Sequence, residues 1–260
     1  MDLNQQTVET IADKIRDLVI KELQGYIAHD ATASMTAAKL ARMIDHTLLK
    51  PDAARSDIDR LCEEAREYDF FSVCVNPSYV SEAHKLLKDT PVKVACVVGF
   101  PLGAQATEIK ALEAKEAIRE GADEIDMVMN VGAMKSGDYD IVEKDIQAVA
   151  AACHESDVLL KVILETSLLT YDEKIKACEL SMTAGANYVK TSTGFGSAGA
   201  TEEDIRLMSK TVAPKSLGVK ASGGVRSFDD AMRMIRAGAT RIGSSNGIRI
   251  VEEASKRLSN

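Results

Sequence analysis

Short runs of β-branched and other apolar residues alternate with longer charged stretches of helical periodicity along most of this chain. That alternation restricts it to a parallel sheet built from repeated strand–helix units. Eight units can be counted from about Met43. Their strands are expected at Arg42–Asp45, Phe70–Asn76, Lys93–Phe100, Glu124–Asn130, Leu159–Glu165, Tyr188–Thr193, Gly218–Ser222 and Arg241–Ser244. Between them the spacing predicts helices such as Arg55–Tyr68, Ala104–Glu120, Tyr171–Thr183 and Phe228–Arg236. An internal echo supports the count: Glu120-Gly-Ala-Asp123, Ala184-Gly-Ala-Asn187 and Ala237-Gly-Ala-Thr240 each close a helix and lead into a strand. A length of 260 residues with 45% hydrophobic content suits one closed α/β domain, a (β/α)8 or TIM barrel. An open doubly wound sheet would carry a Gly-rich nucleotide turn after its first strand, and the sequence has none there.

The barrel is expected over residues 41–260, preceded by a helical extension over residues 1–40. Ile11, Ile15, Leu18, Val19 and Leu23 recur at helical spacing in that extension, and the small polar stretch from about Gly25 to Ala38 reads as a linker. The N-terminus has acidic residues and no continuous apolar core, so it reads as neither a signal nor a transit peptide, and no stretch is long enough for a membrane span. A net charge of -8 argues against a nucleic-acid partner. Cys62, Cys74, Cys96, Cys153 and Cys178 show no paired or metal-type spacing, which fits reduced thiols and a cytoplasmic location.

Strand alternation sorts side chains into a helix-facing and an interior set. The interior set holds the chemistry: Asp45; Ser72, Cys74 and Asn76; Asp126, Val128 and Asn130; Lys161, Ile163 and Glu165; Tyr188, Lys190 and Ser192; Gly218, Lys220 and Ser222. An inert barrel would be filled by Val, Ile and Leu. A charged side chain in such a position needs a partner or a task. Lys190 and Lys220, on consecutive strands, suggest amine chemistry on a carbonyl, because a close cation is one way to keep a lysine neutral and nucleophilic. A lysine with an ordinary pKa of ~10.4 is only about one part in 2500 neutral at pH 7. A second ammonium ~4 Å away at an effective dielectric of ~20 raises the charged form by about 4 kcal/mol, enough to change that. Carbon–carbon cleavage through an imine also needs a proton-transfer group, and Asp126 is the best interior carboxylate. Lys161 could compete for the imine role; its alternative is an ion pair with Glu165 or Asp126. The loops after the seventh and eighth strands, with Gly223-Gly224 and Gly243-Ser244-Ser245, suit a phosphate, with Arg226 adjacent and Gly194 completing the ring.

These residues resemble the class I, Schiff-base deoxyribose-phosphate aldolases. The resemblance rests on Asp45-His-Thr-Leu-Leu-Lys50, Ser72-Val-Cys-Val-Asn-Pro77, Val98-Gly-Phe-Pro-Leu-Gly103, Asp123-Glu-Ile-Asp-Met-Val128, Val189-Lys-Thr-Ser-Thr-Gly194, Val219-Lys-Ala-Ser-Gly-Gly-Val-Arg226 and Arg241-Ile-Gly-Ser-Ser245, in order. It covers about Ala41 to Val251. It implies reversible cleavage of 2-deoxy-D-ribose 5-phosphate to acetaldehyde and D-glyceraldehyde 3-phosphate, with Lys190 as the imine lysine, Lys220 as its cationic neighbour and Asp126 as the proton carrier. Asp45, Thr47, Cys74, Lys161 and Thr193 are then expected to face substrate. Gly194, Gly223, Gly224, Gly243, Ser244 and Ser245 are expected to hold its phosphate. Neither metal nor organic cofactor is expected, and the assembly is expected to be a homo-oligomer, dimer or tetramer. One departure is Asn246, where relatives often carry a second serine.

Three other classes compete. A metal-dependent aldolase would need clustered ligands, yet His29, His46, His84 and His154 lack ligand spacing, and His46 reads as a structural donor. Another lysine aldolase acting on a phosphosugar would share the lysines and the cradle. A sugar-phosphate sensor would have no use for an electron sink. Cys74 reads as a packed small hydrophobe rather than a nucleophile.

Overall fold

The computed structural model describes residues 34–258, so the expected helix through Ile11–Leu23 lies outside the described residues. Eight parallel strands close into a barrel in sequence order: β1 (Ile44–Leu48), β2 (Ser72–Val75), β3 (Lys93–Val98), β4 (Glu124–Val128), β5 (Leu159–Ile163), β6 (Tyr188–Lys190), β7 (Gly218–Ser222) and β8 (Arg241–Ser244). A short helix α1 (Ala37–Ala41) precedes β1. The others are α2 (Arg55–Glu67), α3 (Val80–Leu87), α4 (Thr107–Arg119), α5 (Val131–Ser136), α6 (Tyr139–His154), α7 (Tyr171–Thr183), α8 (Glu202–Val212), α9 (Phe228–Ala237) and α10 (Gly247–Leu258).

Local signals explain the sharpest boundaries. α7 begins where the sequence predicts because Thr170 and Glu173 form a reciprocal capping box, the Thr170 hydroxyl accepting from Glu173 N at 3.3 Å and Glu173 Oε2 accepting from Thr170 N at 2.7 Å. The first strand differs from expectation: it begins at Ile44 and runs through Leu48. Arg42 instead caps α1, and its guanidinium donates to Asp69 at 3.2 Å and to the Phe70 carbonyl at 3.0 Å. Several other strands stop two or three residues early, and the freed residues, including Asn130, Glu165 and Thr193, enter the loops above the barrel.

The Gly-Ala echo proves to be a strand-entry clamp. Gly121, Gly185 and Gly238 close α4, α7 and α9 with φ of 106°, 90° and 114°, which only glycine adopts without strain. Two residues later, Asp123 N donates to Val94 O at 2.8 Å while Val94 N donates back to Asp123 Oδ2 at 2.9 Å. Asn187 does the same with Leu160 at 2.9 and 2.8 Å, and Thr240 with Val219 at 2.9 and 3.1 Å. Each clamp fixes the register of one strand against the strand before it. That register decides which interior side chains meet.

The apolar core lies between strands and helices. Val73, Ile125, Met127 and Val189 are completely buried on the outer strand face, each contributing about 1.5–3 kcal/mol of transfer free energy. Polar contacts also cross this layer: buried Lys110 of α4 donates to Asp145 of α6 at 2.6 Å and to the Val128 carbonyl of β4 at 3.0 Å.

Candidate active site

Among the described residues, register brings seven charged side chains together inside the barrel. Asp126 of β4 lies opposite Lys161 of β5, and Lys190 of β6 lies opposite Lys220 of β7. Asp126 is the hub. Its Oδ1 accepts from Lys161 Nζ at 2.7 Å, and its Oδ2 accepts from both Lys190 Nζ and Lys220 Nζ at 2.8 Å. Sharing one oxygen caps the separation of the two lysine nitrogens at twice that distance. Sequence reasoning foresaw the neighbouring cations but not the carboxylate held between them.

The charge states follow from this packing. Burial pushes the Asp126 carboxyl up, but Lys161, Lys190 and Lys220 overcome it and hold the group well below the usual carboxylate range. Burial alone would lower the Lys220 ammonium, yet Asp126 and Asp45 raise it above an ordinary lysine. Lys220 is therefore held as a cation and Asp126 as a carboxylate. Asp45 is lowered in turn; burial opposes ionisation there, and Lys220 with Arg241 reverses it.

Above this layer lies a cavity of about 320 Å³ at the C-terminal ends of the strands. Lys190, at 3% exposure, is the one member of the Asp126 hub that reaches it. Of the expected substrate and phosphate residues, Thr47 and Thr193 line the cavity, as do Gly194, Gly223, Gly224, Gly243, Ser244 and Ser245. Asp45, Cys74, Asp126, Lys161 and Lys220 form its foundations instead, each buried at 0%. Burial also pushes the Cys74 thiol up, so it packs as a neutral side chain. With Leu49, Ala95, Val97 and the half-buried Phe100 it makes an apolar cluster, of which Leu49 alone lines the cavity. Phe195, which lines the cavity, meets Phe100 edge to face at 5.3 Å.

The glycines at 194, 223 and 224 have φ of 87°, 80° and 80°, turning successive backbone amides in the manner of an anion nest. Gly199 matters through space: a β-carbon there would lie 2.1 Å from the Gly223 carbonyl oxygen, and Ala200 N donates to that same oxygen at 3.0 Å. The Ser244 hydroxyl is already engaged, donating to Val225 O at 2.6 Å and accepting from Asn246 N at 3.0 Å. Ser245 is the exposed hydroxyl, and Asn246 Nδ2 donates to it at 3.3 Å. Lys50 and Arg226 add two cations at the mouth.

The alternative pairing of Lys161 with Glu165 is not realised. Lys161 binds Asp126 and, at 2.6 Å, Glu124; the left-handed Glu165, φ 54°, accepts instead from the amide and hydroxyl of Thr193 and so braces the loop after β6. His46 is the expected structural link, with Nε2 2.7 Å from Glu64 of α2. Sequence reasoning missed Glu124 and Arg241. Both share the parity of Asp126 and Gly243 on their strands, so the same alternation rule could have found them.

A family model described as DeoC/LacD family aldolase matches residues 39–252. The deoxyribose-phosphate aldolase of Caldanaerobacter subterraneus is 58% identical over 219 residues, covering 84% of this chain and 94% of the relative. That of Brevibacillus brevis is 61% identical over 213 residues, covering 82% and 95%. Among solved structures, the tetrameric deoxyribose phosphate aldolase of Aeropyrum pernix is 33% identical, with a TM-score of 0.82 over 90% of this chain and 97% of that one.

Proposed function

The chain belongs to the DeoC/LacD family of aldolases, and from that premise we propose that Lys190, Lys220 and Asp126 perform its carbon–carbon cleavage through an imine. The enzyme is a class I aldolase that reversibly cleaves 2-deoxy-D-ribose 5-phosphate to acetaldehyde and D-glyceraldehyde 3-phosphate. The observation that carries the residue roles is the grip of two lysine nitrogens on one oxygen of Asp126 beneath a glycine-lined cavity.

Unprotonated Lys190 adds to the substrate aldehyde carbon, and the carbinolamine hydroxyl takes up a proton from solvent and leaves as water, giving a cationic imine; the final hydrolysis returns that proton. Asp126, held as a carboxylate, accepts the proton of the hydroxyl on the third carbon, directly or through a water molecule. The bond between the second and third carbons breaks, and its electron pair flows into the imine to give an enamine. Glyceraldehyde 3-phosphate departs. Asp126 then returns a proton to the enamine carbon, and hydrolysis frees acetaldehyde and the amine. Lys220 stays a cation throughout, a fixed positive charge beside the reacting nitrogen. The nest at Gly194, Gly223 and Gly224 suits a phosphate dianion.

Supporting a phosphosugar partner further, the cavity mouth carries Lys50 and Arg226. We assign the protein to the cytoplasm as a homo-oligomer, dimer or tetramer. The support is five unpaired, buried cysteines and the tetramer of the Aeropyrum pernix aldolase. Among the described residues no helix is long and apolar enough to cross a membrane.

Borohydride reduction in the presence of acetaldehyde, followed by peptide mapping, tests the residue roles. An N-ethyl group on Lys190 is expected. Lys190→Ala should lose both the adduct and at least about 10³-fold of cleavage rate while still binding glyceraldehyde 3-phosphate. A label on Lys161 or Lys220 in the wild-type protein, or turnover that survives in Lys190→Ala, would refute the assignment.

A further inference from the structure

Six of the seven charged groups inside the barrel form a closed loop of alternating sign. From Asp126 it runs to Lys161 at 2.7 Å, then to Glu124 at 2.6 Å. Glu124 accepts a forked pair from Arg241 at 3.2 and 3.3 Å, and Arg241 donates to Asp45 at 2.8 Å. Asp45 contacts Lys220, and Lys220 closes the loop on Asp126 at 2.8 Å. Every member of this loop has at least two oppositely charged partners.

Lys190 stands outside the loop. Among the described residues its ammonium has one charged partner, Asp126 Oδ2. The loop itself balances, with Lys161, Lys220 and Arg241 against Asp45, Glu124 and Asp126. Protonated Lys190 therefore gives the cluster four cations against three carboxylates. Loss of the Lys190 proton to solvent through the cavity restores neutrality. No other member can lose or gain a proton without breaking two ion pairs.

Arg241 and Glu124 lie at the floor of this arrangement, away from the cavity. Arg241 is clamped by aromatic faces, its guanidinium carbon 3.4 Å from the Phe71 ring centre and 5.5 Å from that of Tyr188. Gly218 makes room for the Tyr188 ring, since a β-carbon at that position would come within 2.0 Å of it. The guanidinium is thus held in place by packing as well as by charge.

We propose that Glu124 and Arg241, which lie outside the substrate cavity, are positioning residues that set the pH at which Lys190 becomes nucleophilic, by fixing the charge balance of the loop. The inference rests on the Schiff-base reading of Lys190. The other charged or titratable groups around Lys190 are Asp45 from β1, Cys74 from β2, Asp126 from β4, Lys161 from β5, Tyr188 from its own strand and Lys220 from β7, with Lys50 and Arg226 at the mouth; β3 turns the apolar Ala95 and Val97 inward. Changing Glu124 or Arg241 replaces none of these side chains and removes one partner each from Lys161 and Asp45 respectively, each of which keeps its other partner in the loop.

The test measures the initial rate of Lys190 alkylation by acetaldehyde and cyanoborohydride as a function of pH, with the N-ethyl product read by mass spectrometry. Glu124→Gln makes the cluster more positive and should move the half-maximal pH down. Arg241→Gln should move it up. Each shift should be about one pH unit for a charge ~10 Å away at an effective dielectric of ~20. Arg241→Lys keeps the charge and should leave the midpoint within ~0.3 unit of the wild type, and Glu124→Gln/Arg241→Gln should return most of the way. Damage to packing lowers rates but cannot move two midpoints in opposite directions. Coincident midpoints, or shifts of the same sign, overturn the inference while leaving the imine lysine intact. Absence of any Lys190 adduct in the wild-type protein overturns the Schiff-base reading itself.

Discussion

Replacing Asp126 by asparagine should separate the stability and the chemistry of this site. Three ammonium groups contact its carboxylate at 2.7, 2.8 and 2.8 Å. At an effective dielectric of ~20 each contact is a gross attraction of about 6 kcal/mol. Desolvation of the carboxylate and repulsion among the ammonium groups offset most of that, and stranding the partners of a buried charge leaves a net loss of about 3–5 kcal/mol. Proton loss from one stranded lysine brings the variant towards the lower figure. With each kcal/mol worth about 2–4 °C in a domain of this size, Tm should fall by about 6–20 °C at pH 7. The pH dependence has a definite sign. The folded Asp126 value lies well below the ordinary one, so its contribution is complete above about pH 5 and is lost as pH falls towards that depressed value. Thermal melts by circular dichroism from about pH 3 to about pH 8 should therefore show wild type and variant converging on the acid side. Cleavage should drop by about 10²–10⁴-fold while borohydride labelling of Lys190 persists. A Tm difference below ~2 °C at pH 7, or a gap that is constant with pH, would refute the hub role of this carboxylate.

Two further outcomes follow from the packing around the site. Gly199→Ala puts a β-carbon 2.1 Å from the Gly223 oxygen, backbone against backbone, so the glycine nest must shift. KM for the phosphorylated substrate should rise about 10–100-fold, with little change in kcat/KM for unphosphorylated 2-deoxyribose; equal losses on both substrates would show that the nest does not select phosphate. Lys110→Met leaves Asp145 buried without its counter-charge and should reduce stability in urea unfolding by about 3–5 kcal/mol. The double variant Lys110→Met/Asp145→Leu should recover most of that loss, and a double variant as unstable as the single one would contradict the ion-pair account.

Strand periodicity made much of the site legible. A repeat of two residues fixes which side chains face inward once one of them is known, so Asp45, Asp126, Lys161, Lys190 and Lys220 could be grouped before any contact was seen. Partner choice was less legible. Parity allows Lys161 to face either Asp126 or Glu165, and the choice falls to register and loop conformation: Lys161 pairs across from Asp126, while Glu165 has left the strand in a left-handed turn. Ser244 and Ser245 are identical in sequence, yet one hydroxyl is used up within its own loop and the other is open. The apolar cluster of Leu49, Cys74, Ala95 and Val97 could not be told from ordinary core, because burial and hydrophobicity look alike from either side of a strand.

Local periodicity and backbone preference were enough to specify a parallel eightfold barrel, the Gly-Ala signals that start its strands and the residue types that meet inside it. Folding in three dimensions set the sharing of one carboxylate oxygen by two lysines and the closure of six charges into a loop, with Lys190 attached to it through Asp126 alone. Those facts join strands far apart in the chain. Coulomb energy depends on separations of a few ångströms that barrel closure and register alone fix.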